Sequence, residues 1–336
     1  MAEVAGSAVE ALPADQLPPG FAQLRRSSFD PLEISKWAQE LKSAFEQQRS
    51  PAFHTQSVLQ WSAALDLLFL AGKLNIVEHG VRHLFRVYPH FAYAQNANQF
   101  FSHLPVASGR RLPFRDDVTK EIQIVAHDSS TTVILVFCDY FHRLGMPLPL
   151  MHRWLGRLDA SLVYIRDFRR LFGLAGIRSV APDWSSTSTY LRELARSLGA
   201  TRILCYGSSA GVFPALHYGL ELGAKAVLAM GGPSDLGTLH RDRLVPGIFA
   251  RMRKAGLSTE INLAPLYDAA ACAPRASIVY AAAHEVDRKQ AASMQHLPNV
   301  TLCPIWNYAG HNVVIETIAR GLFSQMLSTL VINEIK

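Results

Sequence analysis

The stretch Arg202-Ile203-Leu204-Cys205-Tyr206-Gly207-Ser208-Ser209-Ala210-Gly211 reads as a short apolar strand running into G-x-S-x-G, with a helix-forming run from Val212 to Leu222 behind it. A strand, that pentapeptide and a helix make a nucleophile elbow. Its glycines allow a sharp strand-to-helix turn to lie close to neighbouring strands. The turn lifts Ser209 Oγ out of the sheet. It also sets the backbone N–H of Ala210 at a helix N-terminus, where it can donate to an oxyanion. Ser209, not Ser208, holds the central position.

Around the elbow the sequence alternates strand and helix. Strands are expected at 121–126, 132–138, 162–165, 202–206, 226–230, 277–282 and 300–304, with a helix from Tyr190 to Leu198 leading into the elbow strand. The run Thr132 to Cys138 is continuously apolar, as for a strand covered on both faces. Such alternation predicts a mostly parallel sheet flanked by helices, with ligands bound beyond the carboxyl ends of its strands. Ser209 stands at such an end.

A serine hydroxyl needs a base, and the base needs an orienting carboxylate. For an elbow of this kind the chain order is serine, acid, histidine. His284-Glu285-Val286-Asp287-Arg288 follows the 277–282 strand, and Asn307-Tyr308-Ala309-Gly310-His311-Asn312-Val313 follows the last strand. Asp287 and Glu285 both qualify as the acid, and the shorter Asp287 suits a tight loop. Of the 13 histidines, His311 is singled out by Gly310 before it, the strand upstream and an apolar helix from Val313 to Leu330 downstream.

With elbow, acid and late histidine in this order, residues 119 to 334 resemble the α/β-hydrolase superfamily. The resemblance implies Ser209 as nucleophile, His311 as base, an acyl-enzyme intermediate, and neither metal nor organic cofactor. It also implies a second oxyanion donor just after the strand that ends at Phe137. Many members have His-Gly there, whereas this chain has Cys138-Asp139-Tyr140-Phe141, so the donor would be the Tyr140 backbone N–H. Asp139 puts a carboxylate near the developing negative charge, which would slow ester hydrolysis unless it points away or is paired. The implied activity is that of a serine esterase or related acyl hydrolase on a small-molecule or acylated substrate. An acyltransferase with the same triad, or a hydrolase-like scaffold whose helical module binds a protein partner, are the alternatives.

The remaining chain divides by composition. Residues 1–28, rich in Ala and Pro, read as a mobile leader. Residues 29–104 read as a helical module, with Asp30 as cap and Pro31 at the first helical position. Further helices are expected from near Thr55 to Gly72, from about Asn75 to Tyr88, and toward Phe101. Trp61 and Pro89 stand at the spacing of a tetratricopeptide repeat, which this region partly resembles; Leu65 and Val77 replace the small residues that repeat prefers. The hydrolase-like domain spans 119–336, and 233–265 reads as a cap or an amphipathic helix over the sheet. The net charge is +6, and groups such as Arg166, Arg169 and Arg170, or Arg251, Arg253 and Lys254, read as solvated helix faces. An alternative role for them is steering an anionic substrate. No nucleic-acid partner is expected. No apolar run reaches the about 18 residues of a membrane span. The opening Met1-Ala2-Glu3-Val4 lacks the features of a signal peptide, so a cytoplasmic location is expected. Cys138, Cys205, Cys272 and Cys303 are far apart and read as buried, reduced thiols.

Overall fold

The fold was analysed in a computed structural model that describes residues 31–52, 58–105, 114–242 and 244–331. The leader at 1–28, the Asp30 cap and the helix start near Thr55 lie outside the described residues. Among the described residues four helices come first: α1 (Pro31–Glu46), α2 (Val58–Leu70), α3 (Leu74–Val87) and α4 (Ala92–Ser102). Beyond them the chain alternates as β1 (Ile122–Val125), β2 (Thr132–Phe137), α5 (Leu148–Leu155), β3 (Ser161–Ile165), α6 (Trp184–Ser197) and β4 (Arg202–Ser208). A 3-10 turn, Ser209–Gly211, leads into α7 (Val212–Glu221) and β5 (Ala226–Met230). Then come α8 (Leu236–Arg241), α9 (Pro246–Lys254), α10 (Ala264–Ala269), β6 (Arg275–Ala281), α11 (Glu285–Ala292), β7 (Val300–Ile305), α12 (Val313–Ala319) and α13 (Phe323–Val331).

The seven strands form one sheet in the order β1-β3-β2-β4-β5-β6-β7, with β1 antiparallel to β3 and every other pair parallel. This is the mostly parallel sheet flanked by helices that the sequence predicts. The reason is visible within β2. Ile134 and Val136 enter one apolar cluster, while Val133, Leu135 and Phe137 enter the other. A strand with both faces buried has no use for polar alternation, and hence reads as a continuous apolar run.

The helices sort onto the same two faces. One face carries α5, α12, α13 and the N-terminal helices; the other carries α6, α7, α8, α9, α10 and α11. Within the N-terminal helices Trp61, Leu65 and Val77 are buried, and the Trp37 and Trp61 rings meet edge-on at 4.5 Å. Phe100 and Phe101 of α4 share their cluster with Ile315 and Ile318 of α12. The helix expected toward Phe101 runs over 11 residues, and its apolar residues have a partner helix to cover them.

Asp66 on α2 is buried, and its Oδ1 accepts the Tyr93 hydroxyl at 2.6 Å. Burial drives the carboxyl well above the usual carboxylate range, more than the Tyr93 hydrogen bond lowers it. A group raised in this way contributes stability fully present below its unfolded pKa, about 3.9, and lost as pH climbs through the folded value. The stability of α1–α4 is therefore expected to fall as pH rises above the ordinary carboxylate range. Asp66→Asn, which cannot ionise, should remove that fall. Thermal melts of both proteins from acid to alkaline pH check it; equal pH dependence would refute it.

Several expectations are corrected. Arg166 does not lie on a solvated face: it is fully buried just past β3. Its guanidinium pairs with Asp116 and donates to Lys120 O at 2.9 Å and Gln123 Oε1 at 3.0 Å. A buried cation persists only with such partners, and here they fasten the approach to β1 against the sheet. Cys272 is exposed, whereas Cys138 and Cys205 are buried as expected; all four thiols are free. The helix expected from Val313 to Leu330 is two, α12 and α13, because Gly321 turns left-handed (φ +70°) between them. Among the described residues no helix is long and apolar enough to cross a membrane.

Candidate active site

Ser209 sits at the carboxyl end of β4 with φ of 50°. Holding a residue with a Cβ in that left-handed region costs about 1–3 kcal/mol, so the surroundings must impose it. They do so by close approach. A Cβ on Gly207 would strike the Gly211 carbonyl oxygen, and one on Gly211 would strike the carbonyl oxygens of Phe137 and Cys138. Both glycines of the motif are thus required: one lets the turn fold back on itself, the other seats it against the end of β2. Gly232, past β5, closes the third side, where any Cβ would meet the Ser209 carbonyl oxygen. The sequence reading passed over Gly232, since nothing local distinguishes it.

The three side chains chosen from chain order converge. Ser209 Oγ lies 2.8 Å from His311 Nε2, and His311 Nδ1 lies 2.8 Å from Asp287 Oδ1. Asp287 is 2% exposed. Burial pushes its carboxyl up, but the His311 charge and then the His284 and His311 hydrogen bonds outweigh it, leaving the group below its ordinary value. Glu285 does not reach the histidine; its side chain is 70% exposed and pairs with Lys289 Nζ at 3.1 Å.

Asp287 lies in the first turn of α11 rather than in the tight loop expected. His284 caps that helix by accepting the Asp287 backbone N–H at 3.3 Å through Nδ1. The same Nδ1 is 3.2 Å from Asp287 Oδ1. A second imidazole therefore stands over the acid, with its ring centre 5.6 Å from that of His311. Ligand atoms of His284, Asp287 and His311 lie within 4.8 Å of one another, close enough to hold a metal ion. In the present arrangement these atoms are engaged with each other.

The two expected oxyanion donors come from neighbouring strand ends. Ala210 is at the start of the helical run that becomes α7, so its N–H precedes the acceptors of that run. Tyr140 follows β2, which pairs with β4 through Phe137 and Gly207. The Asp139 carboxylate is paired within its own turn. Its Oδ1 accepts the N–H groups of Phe141 (2.8 Å) and Arg143 (2.9 Å), and its Oδ2 accepts that of Gly145 (2.9 Å). The carboxylate shapes the 139–145 turn and is consumed by it.

Asn312 joins this turn to the histidine. Its Oδ1 caps α12 by accepting the Ile315 N–H, and its Nδ2 donates to the Gly145 carbonyl at 2.8 Å. In sequence Asn312 is only the residue after His311, and its contact with Gly145 appears only when the chain is folded.

No family model matches the chain, and no curated protein matches it. Solved structures do. A lipase-esterase related protein from Clostridium acetobutylicum is 9% identical, with 63% of this chain and 100% of that one covered at a TM-score of 0.41. MenH from S. aureus is 12% identical, with 63% and 97% covered and a TM-score of 0.41. An esterase from Pyrococcus furiosus is 13% identical, with 67% and 97% covered and a TM-score of 0.42.

Proposed function

We propose that the protein is a serine hydrolase of carboxylic esters or related acyl compounds, with Ser209 as nucleophile, His311 as general base and Asp287 as its orienting acid. The observation that carries this reading is the unbroken line Ser209 Oγ, His311 Nε2, His311 Nδ1, Asp287 Oδ1, with 2.8 Å at each hydrogen bond. Asp287 keeps a proton on Nδ1, so Nε2 is the nitrogen that accepts.

Ser209 Oγ attacks the acyl carbon as its proton passes to His311 Nε2. The carbonyl electron pair moves onto oxygen, toward the N–H groups of Ala210 and Tyr140. Collapse of this intermediate breaks the bond to the leaving alcohol, which takes the proton from His311. Water then attacks the acyl-enzyme by the same path, and the acid and free Ser209 are released.

Labelling with a fluorophosphonate probe tests the reading. The adduct is expected on Ser209, located by mass spectrometry, and absent in Ser209→Ala. Folded protein that takes no label would instead favour a hydrolase-like scaffold working through its N-terminal helices.

A further inference from the structure

Two elements converge on Tyr140, the residue whose backbone is the proposed second oxyanion donor. Arg170 stands on the loop after β3, with its guanidinium carbon 4.7 Å from the centre of the Tyr140 ring. Arg251 stands on α9, with its Nη2 at 3.5 Å from the Tyr140 hydroxyl. Both arginines are exposed and Tyr140 is partly covered. The Tyr140 and Arg170 loops follow the carboxyl ends of the parallel neighbours β2 and β3, which pair through Phe137 and Ile165, and α9 comes after β5, which pairs with β4 through Met230 and Ser208. Ligands of such a sheet bind at that edge.

The loop bearing Arg170 is built rather than slack. Asp167 is inside it, and its carboxylate accepts the backbone N–H groups of Arg169 (2.9 Å), Arg170 (3.0 Å), Leu171 (2.6 Å) and Gly173 (2.9 Å). Arg170 and Phe172 both take left-handed backbone, at φ 56° and 58°. Two carboxylates in these loops, Asp139 and Asp167, are therefore spent on backbone amides. Among the described residues no ion pair joins either Arg170 or Arg251 to a carboxylate. Burial pushes the Tyr140 phenol up, yet hydrogen bonds and charge from Arg251 and Arg170 pull it below its ordinary value. The two guanidinium groups thus make the spot electropositive.

We propose that Arg170 and Arg251, gathered at Tyr140, form an anion-recognition site beside Ser209, and that the substrate is an acyl compound bearing a carboxylate or phosphate. This rests on the serine hydrolase reading above. Guanidinium groups suit either oxyanion, since each can present paired N–H donors to it.

The test compares kcat/KM for two matched pairs. The 4-nitrophenyl monoester of adipic acid is set against its methyl-capped neutral counterpart, and glycerol phosphate acetate against glycerol acetate. Wild-type protein is expected to prefer the anionic member of one pair; which pair responds tells whether the charge lies on the acyl or the leaving side. Arg170→Gln and Arg251→Gln should each reduce the anionic-to-neutral ratio by roughly tenfold, as for loss of one charge-assisted hydrogen bond. Added salt should also shrink the ratio. The same compounds, titrated calorimetrically into Ser209→Ala protein, read the preference without turnover. Fluorophosphonate labelling of Ser209 with no preference in either measurement overturns the anion site and leaves the hydrolase reading intact. Absence of labelling overturns the hydrolase reading, while a calorimetric preference lost on Arg170→Gln and Arg251→Gln would still support the anion site. A preference that survives in the double variant overturns it.

Discussion

Ser209→Ala protein is expected to lose kcat by about 10⁴- to 10⁶-fold on any ester the wild type hydrolyses, with circular dichroism and melting temperature little changed. The loss is large because, on the proposed mechanism, Oγ is the atom that bonds to the acyl carbon, and it lies 2.8 Å from His311 Nε2. The fold should persist because the elbow is shaped by Gly207, Gly211 and Gly232, not by the hydroxyl. His311→Ala should cost a similar factor. Combining the two should cost little more than either alone, since nucleophile and base act as one unit. Steady-state kinetics of the two single variants and the double variant measure this. A Ser209→Ala protein within tenfold of wild type would remove Ser209 from the mechanism.

Asp287→Asn is expected to lower kcat/KM by about 10³- to 10⁴-fold. Asp287 Oδ1 accepts from His311 Nδ1, and Oδ2 is buried with no hydrogen-bond partner. An asparagine must place its NH2 at one of these positions. At the first it donates to Nδ1 and forces the proton onto Nε2, which can then no longer accept from Ser209. At the second it buries an unmatched donor, at about 1–3 kcal/mol. The pH profile separates Asp287 from the base. Its pKa is held low in the folded protein, so its contribution is present above the unfolded value and lost only as pH falls through the folded one. The acid limb of kcat/KM should therefore lie above the carboxylate range. A limb inside that range would mean that Asp287 is the titrating group.

What could be read from the sequence was whatever depends on near neighbours or on order. The elbow is a local pattern in which each glycine answers to a backbone contact. Ser209, Asp287 and His311 are singled out because each follows a strand, and strands covered on both faces announce themselves as apolar runs. The preference for Asp287 over Glu285 rests on a tight loop, whereas the residue is on a helix: α11 turns Asp287 toward His311 and Glu285 toward Lys289. Arg166 was misread because its partners come from the segment before β1, distant in sequence. Asp139 was illegible for the opposite reason, since its partners are the backbone amides of its own turn and amides leave no trace in side-chain identity. Arg170 and Arg251 looked like ordinary surface charge. Only the fold brings them to one phenol.

The Asn312 link gives the site a shared frame. One side chain fixes the start of the helix behind His311 and also holds Gly145, whose own N–H is gripped by Asp139. On the proposed mechanism, the residues that move the proton and those that receive the charge are thus tied through one side chain, although they come from opposite ends of the domain. Redesign of the 139–145 turn would then bear on the histidine as well, and separate control of the two would begin by cutting this tether.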